Sequence, residues 1–161
     1  MSQTLIKNIN IVSMDNNRSV FIDGAILIEN NKILEIGKYN KIKPLLKKNK
    51  VIIEDGKNNW VLPGLINTHV HTSQQLGRGI ADDVDLLVWL RERIWPYESN
   101  LTEEDSYISS LLCAIEQIKS GVTCFVEAGG QHVNGMGRAI EQIGMRATLV
   151  VLPEMGSAYF R

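Results

Sequence analysis

The chain has 161 residues, 44% of them apolar, and 17 basic side chains stand against 18 acidic ones for a formal net charge of −1. That length suits one domain, or one domain with part of another, and leaves ample apolar material for a core. The near-neutral charge without a basic stripe argues against nucleic acid as a partner, and no run of roughly 18 apolar residues is present to enter a membrane.

The first 60 residues read as short strands. TLIKNINIV (4–12) alternates apolar and polar side chains, and FIDGAILIENNKILEIG (21–37) reads as two strands around the turn Glu29-Asn30-Asn31-Lys32. The lysine-rich stretch Lys41 to Lys50 reads as a solvated loop or a short helix, and VIIEDG (51–56) as a further strand, so this part is expected to be all-β and antiparallel. The opening MSQTLIKNINIVSMDNN holds no long apolar core of the kind a signal peptide needs. Cys113 and Cys124 have no Cys or His at metal-site spacing and read as buried thiols of a cytoplasmic protein.

The texture changes near Trp60. Pro63-Gly64 feeds a short apolar strand that ends in His69-Val70-His71. DLLVWLRERIW (85–95) carries an apolar helical face that Pro96 is expected to end. Thr102 is placed to cap a helix with Glu103, Glu104 and Asp105 in its first turn. Behind it Tyr107, Ile108, Leu111, Leu112, Ile115 and Ile118 recur at helical spacing, with Gly121 as the stop. VTCFVEA (122–128) reads as a buried parallel strand, GGQHVNG as a loop, Met136 to Gly144 as a short helix and RATLVVL (146–152) as another buried strand. From residue 62 the order is β-α-β-α-β, the pattern of a parallel sheet with crossover helices.

His69-Val70-His71 carries the chemistry. Strand side chains alternate with period two, so residues two apart share a side, and neutral imidazole suits zinc, iron or nickel. A bare His-x-His is a short motif; its place after an apolar strand that opens a βαβ series is what aligns it with a metal site. GGQHVNGMG lacks the Lys-Ser/Thr of a phosphate-binding loop.

VLPGLINTHVHTSQQLGRGIADDVDLLVWLRERIWPYE (61–98) resembles the amidohydrolase superfamily, whose pattern is an apolar run, Pro-Gly, a short strand and His-x-His. LGRGIADD, then WL, then WPYE narrow the resemblance to the deaminase and chlorohydrolase branch, nearest to methylthioadenosine/S-adenosylhomocysteine deaminases. The resemblance implies an α/β fold: about three strands from the N-terminal part of a TIM (β/α)8 barrel at 61–161, after a small antiparallel β-sandwich domain at 1–60. Both are expected to be incomplete in this chain, because such a barrel takes at least about 200 residues.

The implied activity is metal-dependent hydrolytic deamination of an adenosine-type nucleoside or related amino-heterocycle. The alternatives are s-triazine chlorohydrolysis, guanine or pterin deamination, or a non-catalytic fragment. The implied cofactor is a divalent metal, zinc first with iron or nickel as alternatives, held by His69 and His71. The resemblance assigns Glu98 to ribose hydroxyls and Trp89 to the wall of the substrate site. Read on its own, Glu98 better suits an exposed loop charge, whereas Trp89 suits helix packing as well as a substrate wall. Arg78 either contacts substrate or braces its loop, His132 lines the pocket or is solvated, and Glu127 meets the site or satisfies backbone groups. No catalytic residue is expected in this chain, since the general acid/base Glu and the remaining ligands come from later strands. The 161 residues alone are expected to be inactive. The expected partners are a small-molecule substrate and either further copies of the chain or the rest of the barrel.

Overall fold

The computed structural model describes residues 2–47 and 51–151, and falls into two compact units, Met1–Pro63 and Gly64–Arg161.

The first unit is one mixed sheet. Strands β1 (Gln3–Val12), β2 (Val20–Glu29) and β3 (Lys32–Lys38) form antiparallel neighbours in the order β3-β2-β1. The β2–β3 turn is built on Asn30 and Asn31, both at positive φ, as the tight hairpin connection that matches strand twist requires. A helical turn, α1 (Tyr39–Ile42), continues into a 3-10 turn at Lys43–Leu45. Beyond it β4 (Val51–Asp55) and β5 (Trp60–Val61) both pair with β1 in parallel. The expected all-antiparallel pairing is thus corrected: the described residues of this unit form one sheet of mixed direction. The physical reason is that β1 is central, and the helical crossover after β3 brings the chain back to β1's open edge in β1's own direction. Lys48, Asn49 and Lys50 of the lysine-rich stretch lie outside the described residues.

An irregularity in β1 decides what this unit buries. The β1–β2 register shifts between Lys7 and Ile9, where Asn8 takes a positive φ. In an unbroken strand Leu5, Ile9 and Ile11 would share a face. Here Leu5 packs with Ala25, Leu27 and Ile42, whereas Ile9 and Ile11 pack with Ile26 in a second cluster. The bulge lets one strand feed two apolar layers.

The second unit is a three-stranded parallel sheet in the order β6-β7-β8, from β6 (Leu65–Val70), β7 (Val122–Gly130) and β8 (Arg146–Val151). Helix α4 (Glu103–Lys119) lies in the chain between β6 and β7, and α5 (Val133–Ile143) between β7 and β8. Leu152 and the PEMGSAYFR tail lie outside the described residues. The glycine-rich stretch is shorter as a loop than expected: β7 runs through Gly130 and α5 starts at Val133, leaving only Gln131 and His132.

Two helical expectations are corrected. Pro96 does not stop the helix. The chain runs through α2 (Leu86–Val88), a π-helical stretch Trp89–Ile94 and α3 (Trp95–Ser99). The Trp95 N–H donates to the Leu90 carbonyl, five residues back. That wider turn precedes the proline, whose missing N–H and bulky ring would break a regular α-helix at this point.

The buried face of α4 is not its aliphatic one. Ser106, Ser109, Ser110, Cys113, Ala114 and Gln117 are buried, while Ile108, Ile115 and Ile118 are 43–47% exposed. Short side chains let the helix close on the segment after β6 and fill the space with hydrogen bonds instead of methyl groups. Its N-terminus is as expected: the Thr102 hydroxyl accepts from the Asp105 N–H while Asp105 accepts from the Thr102 N–H.

Candidate functional site

His69 lies on β6, and His71 is the first residue past it, at the start of a 3-10 segment, Thr72–Gly77. Their ring centres are 5.2 Å apart and the rings meet edge to face. Zinc sits about 2.0–2.1 Å from imidazole nitrogen, so two rings sharing one tetrahedral ion have centres roughly 5 Å apart. The spacing of the two rings is that of a pair sharing one ion. Among the described residues no group of three or more His, Cys, Asp or Glu side chains comes together to complete such a site.

The tautomer of His71 follows from its partner. Its Nδ1 lies 3.0 Å from the Gly129 carbonyl. A carbonyl only accepts, so Nδ1 carries the proton and donates, which leaves the Nε2 lone pair free for a metal. Gly129 has φ +112, a conformation that L side chains rarely adopt, and this turns its carbonyl at the end of β7. At Gly130 a Cβ would come within 2.5 Å of Met136 Cε and 3.0 Å of Ser73 Oγ, so the Met136 side chain would have to shift to admit one.

Behind the histidines lies a buried polar layer. Glu127 is fully buried and in register with Val70, the residue between the two histidines. Its Oε2 accepts from the Thr72 N–H at 2.7 Å, and its Oε1 stands 3.8 Å from His71 Nδ1. The Ser109 hydroxyl donates to the Thr72 carbonyl at 2.9 Å and accepts from the Gln75 N–H at 3.0 Å. The Ser110 hydroxyl donates to the Thr72 hydroxyl at 2.9 Å. The 3-10 segment that follows the histidines is thus held by α4 and β7 at nearly every polar atom it turns inward.

The other side of this segment is stitched to α3. Glu98 Oε1 accepts from Gln74 Nε2 at 2.8 Å, and the Tyr97 hydroxyl donates to the Ser73 carbonyl at 3.2 Å. Burial, and then the Asp105 and Glu98 carboxylates, push the Tyr97 phenol above its ordinary value, which keeps it a donor. Trp89, Gln74, Ile94 and Tyr97 line a cavity of about 170 Å³. The structure therefore brings Glu98 and Trp89 to the segment that follows His71.

Two sequence candidates sit elsewhere. Arg78 bonds Glu116 of α4 at 2.9 and 2.5 Å and also bonds Gln75; the Glu116 carboxylate raises the guanidinium above its usual value. It braces the loop. His132, at φ 58, bonds the Leu101 carbonyl through Nε2 at 2.7 Å and ties the start of α5 to the turn before α4. Both cysteines are free; burial pushes the Cys113 thiol up, so it is a packing residue. Sequence reading did not find Gln74, Tyr97, Ser109 or Ser110. The signal was there in part, as the polar run Thr-Ser-Gln-Gln directly after His-x-His.

Comparison with known proteins places the chain in a family. The chain is 40% identical over 149 residues to a 5′-deoxyadenosine deaminase of Methanosarcina acetivorans, covering 92% of this chain and 33% of that protein. It is 38% identical over 148 residues to a 5-methylthioadenosine/S-adenosylhomocysteine deaminase of Shouchella clausii, covering 92% of this chain and 34% of that protein. Its structure is similar to an adenosine deaminase from Xanthomonas campestris with bound zinc, at TM-score 0.79 and 26% identity, over 91% of this chain and 33% of that one. The chain thus spans about a third of the length of these relatives. The model of the amidohydrolase family matches residues 60–155, the stretch that holds His69, His71, Glu98 and Glu127, and this chain belongs to that family.

Proposed function

We propose that this chain forms the His-x-His part of a metal-dependent deaminase that hydrolyses the ring amino group of an adenosine-type nucleoside. The observation that carries this reading is the histidine pair: two imidazoles at the end of one parallel strand, spaced for one ion, with His71 Nε2 left free by the Gly129 carbonyl. The names of relatives at 38–40% identity supply the substrate class. In this reading β6, β7 and β8 are three strands of a (β/α)8 barrel, and the mixed sheet of the first unit is its small β-domain.

The metal is zinc by analogy with the zinc-bound relative, and His69 and His71 are two of its ligands. A divalent ion there supplies a nucleophile at neutral pH by lowering the pKa of water to about 7. The chain's own residues bind and orient. Glu98 has one oxygen anchored on Gln74, which fixes the carboxylate and leaves the other oxygen to accept from a ribose hydroxyl. Trp89 offers an aromatic wall to the cavity beside it. The two free thiols suit a reducing compartment such as the cytoplasm.

The test is ammonia release from 5′-deoxyadenosine and 5′-methylthioadenosine by the full protein, with metal content measured alongside. His69→Ala and His71→Ala should each remove tight metal binding and activity together; full metal occupancy in both variants would refute the reading. Glu98→Ala should weaken nucleosides about 10- to 100-fold more than the free base adenine, the loss of a charge-assisted hydrogen bond. An equal loss on both substrates removes Glu98 from the ribose site. The 161 residues by themselves should release no ammonia.

A further inference from the structure

We propose that Glu127 is a positioning residue for the histidine pair, acting through His71. This rests on the metal-site reading of His69 and His71. Glu127 is fully buried, yet among the described residues only one of its carboxylate oxygens is paired. Oε2 takes the Thr72 N–H and so fixes the first peptide after His71. Oε1 has no hydrogen-bond partner among the described residues and stands 3.8 Å from His71 Nδ1, the nitrogen that already donates to Gly129 O at 3.0 Å. The Nδ1 proton is held by the Gly129 carbonyl, and Glu127 sets its carboxylate beside the same nitrogen from the same strand.

The consequence is directional. With the accepting carbonyl and the carboxylate on one side of the ring, the Nδ1–H tautomer is favoured and Nε2 is left as a free lone pair. A carboxylate behind a ligating histidine also makes the imidazole a stronger donor to metal. Glu127 can do both jobs only because it has two acceptor oxygens. A glutamine has one acceptor and one NH2 group, so it must set a donor against either the Thr72 N–H or the His71 N–H.

The experiment uses the full protein with zinc as the probe. Zinc affinity is read by competition with a chromophoric chelator, and the His71 tautomer by its ring-nitrogen resonances in the metal-free protein. Glu127→Gln should weaken zinc about 10- to 100-fold, as loss of an outer-shell partner does, and convert His71 to a mixture of tautomers. Glu127→Asp keeps both acceptors and draws them back by one methylene, so it should recover part of the zinc affinity and the Nδ1–H form. Ser73→Ala removes the other buried oxygen that lacks a partner and should leave both readings as in the wild type.

A Glu127→Gln protein with wild-type zinc affinity and an unchanged His71 tautomer overturns the proposal. So does a Ser73→Ala protein that loses zinc as strongly as Glu127→Gln, since general loosening would then explain both. Should Glu127→Gln not fold, wild-type zinc affinity in Glu127→Asp overturns it instead. A wild-type protein that takes up no zinc defeats the metal-site reading, and the His71 resonances still decide whether Glu127 sets the tautomer.

Discussion

The core of the first unit's sheet and the layer behind the histidines of the second unit are built from different chemistry. In the first, the sheet buries Leu5, Ile9, Ile11, Ala25, Ile26, Leu27 and Ile42. The second unit also buries Phe125, Met136, Ala139 and Ile140, but the space behind His69 and His71 holds the hydrogen-bonded Thr72, Ser109, Ser110 and Glu127. Apolar burial is non-directional and roughly proportional to area, so it stabilises without dictating orientation to a fraction of an ångström. A hydroxyl or carboxylate network is the reverse. Its net stabilisation is modest, but each bond fixes a direction, and every member left unpaired is costly. The difference teaches where each is useful: methyl groups where the chain needs only to be compact, hydrogen bonds where two imidazoles must face one point.

That contrast can be broken in order of effect. Leu27→Ala should be the most damaging, about 2–5 kcal/mol by loss of buried methyl groups and the cavity left behind. In the molecules that stay folded, zinc affinity should not move. Denaturant unfolding and zinc titration of the same sample check both halves, and a large zinc effect would mean the division into a compact part and an orienting part is false. Ser109→Ala should cost less, about 1–3 kcal/mol, because it strands the Thr72 carbonyl and the Gln75 N–H. Unlike Leu27→Ala it should weaken zinc binding, since it frees the segment attached to His71; unchanged zinc affinity would remove α4 from the positioning of the site.

Thr102→Ala should have the smallest effect, about 0.5–2 kcal/mol, from loss of the cap on α4. Its pH dependence sharpens the point. The Thr102 hydroxyl, and then its backbone N–H, hold the Asp105 carboxyl below its usual value. A depressed carboxyl contributes stability that is present above its unfolded value and is lost as pH falls through the folded one. The deficit of Thr102→Ala should therefore be full at neutral pH and shrink below about pH 4, the ordinary Asp range. A deficit that stays constant down to pH 2 would show that the carboxylate takes no part in the cap.

Local features were legible in the sequence. The Asn30-Asn31 turn, the Thr102 cap and the β-α-β-α-β order all rest on interactions between residues close in the chain. So does the pairing of His69 with His71, since two residues apart on an extended backbone share a side. The misreadings came from packing. Periodicity placed Ile108, Ile115 and Ile118 on a face of α4 but could not say that its serine face would be the buried one. Pro96 has the chemistry of a helix stop, and only the π-helical stretch ahead of it lets the helix continue. The parallel pairing of β4 and β5 with β1 depends on which edge of β1 is open, and alternation along one strand carries no information about that.

The candidate site divides in the same way. The sequence by itself determined the two imidazoles, their place at the end of one strand and the polar run behind them. Tertiary structure decided which nitrogen of His71 is free and which carboxylate stands behind it. Glu127 lies 55 residues beyond Thr72 and reaches it through the β6–β7 register, and a register is a property of two strands that neither contains alone.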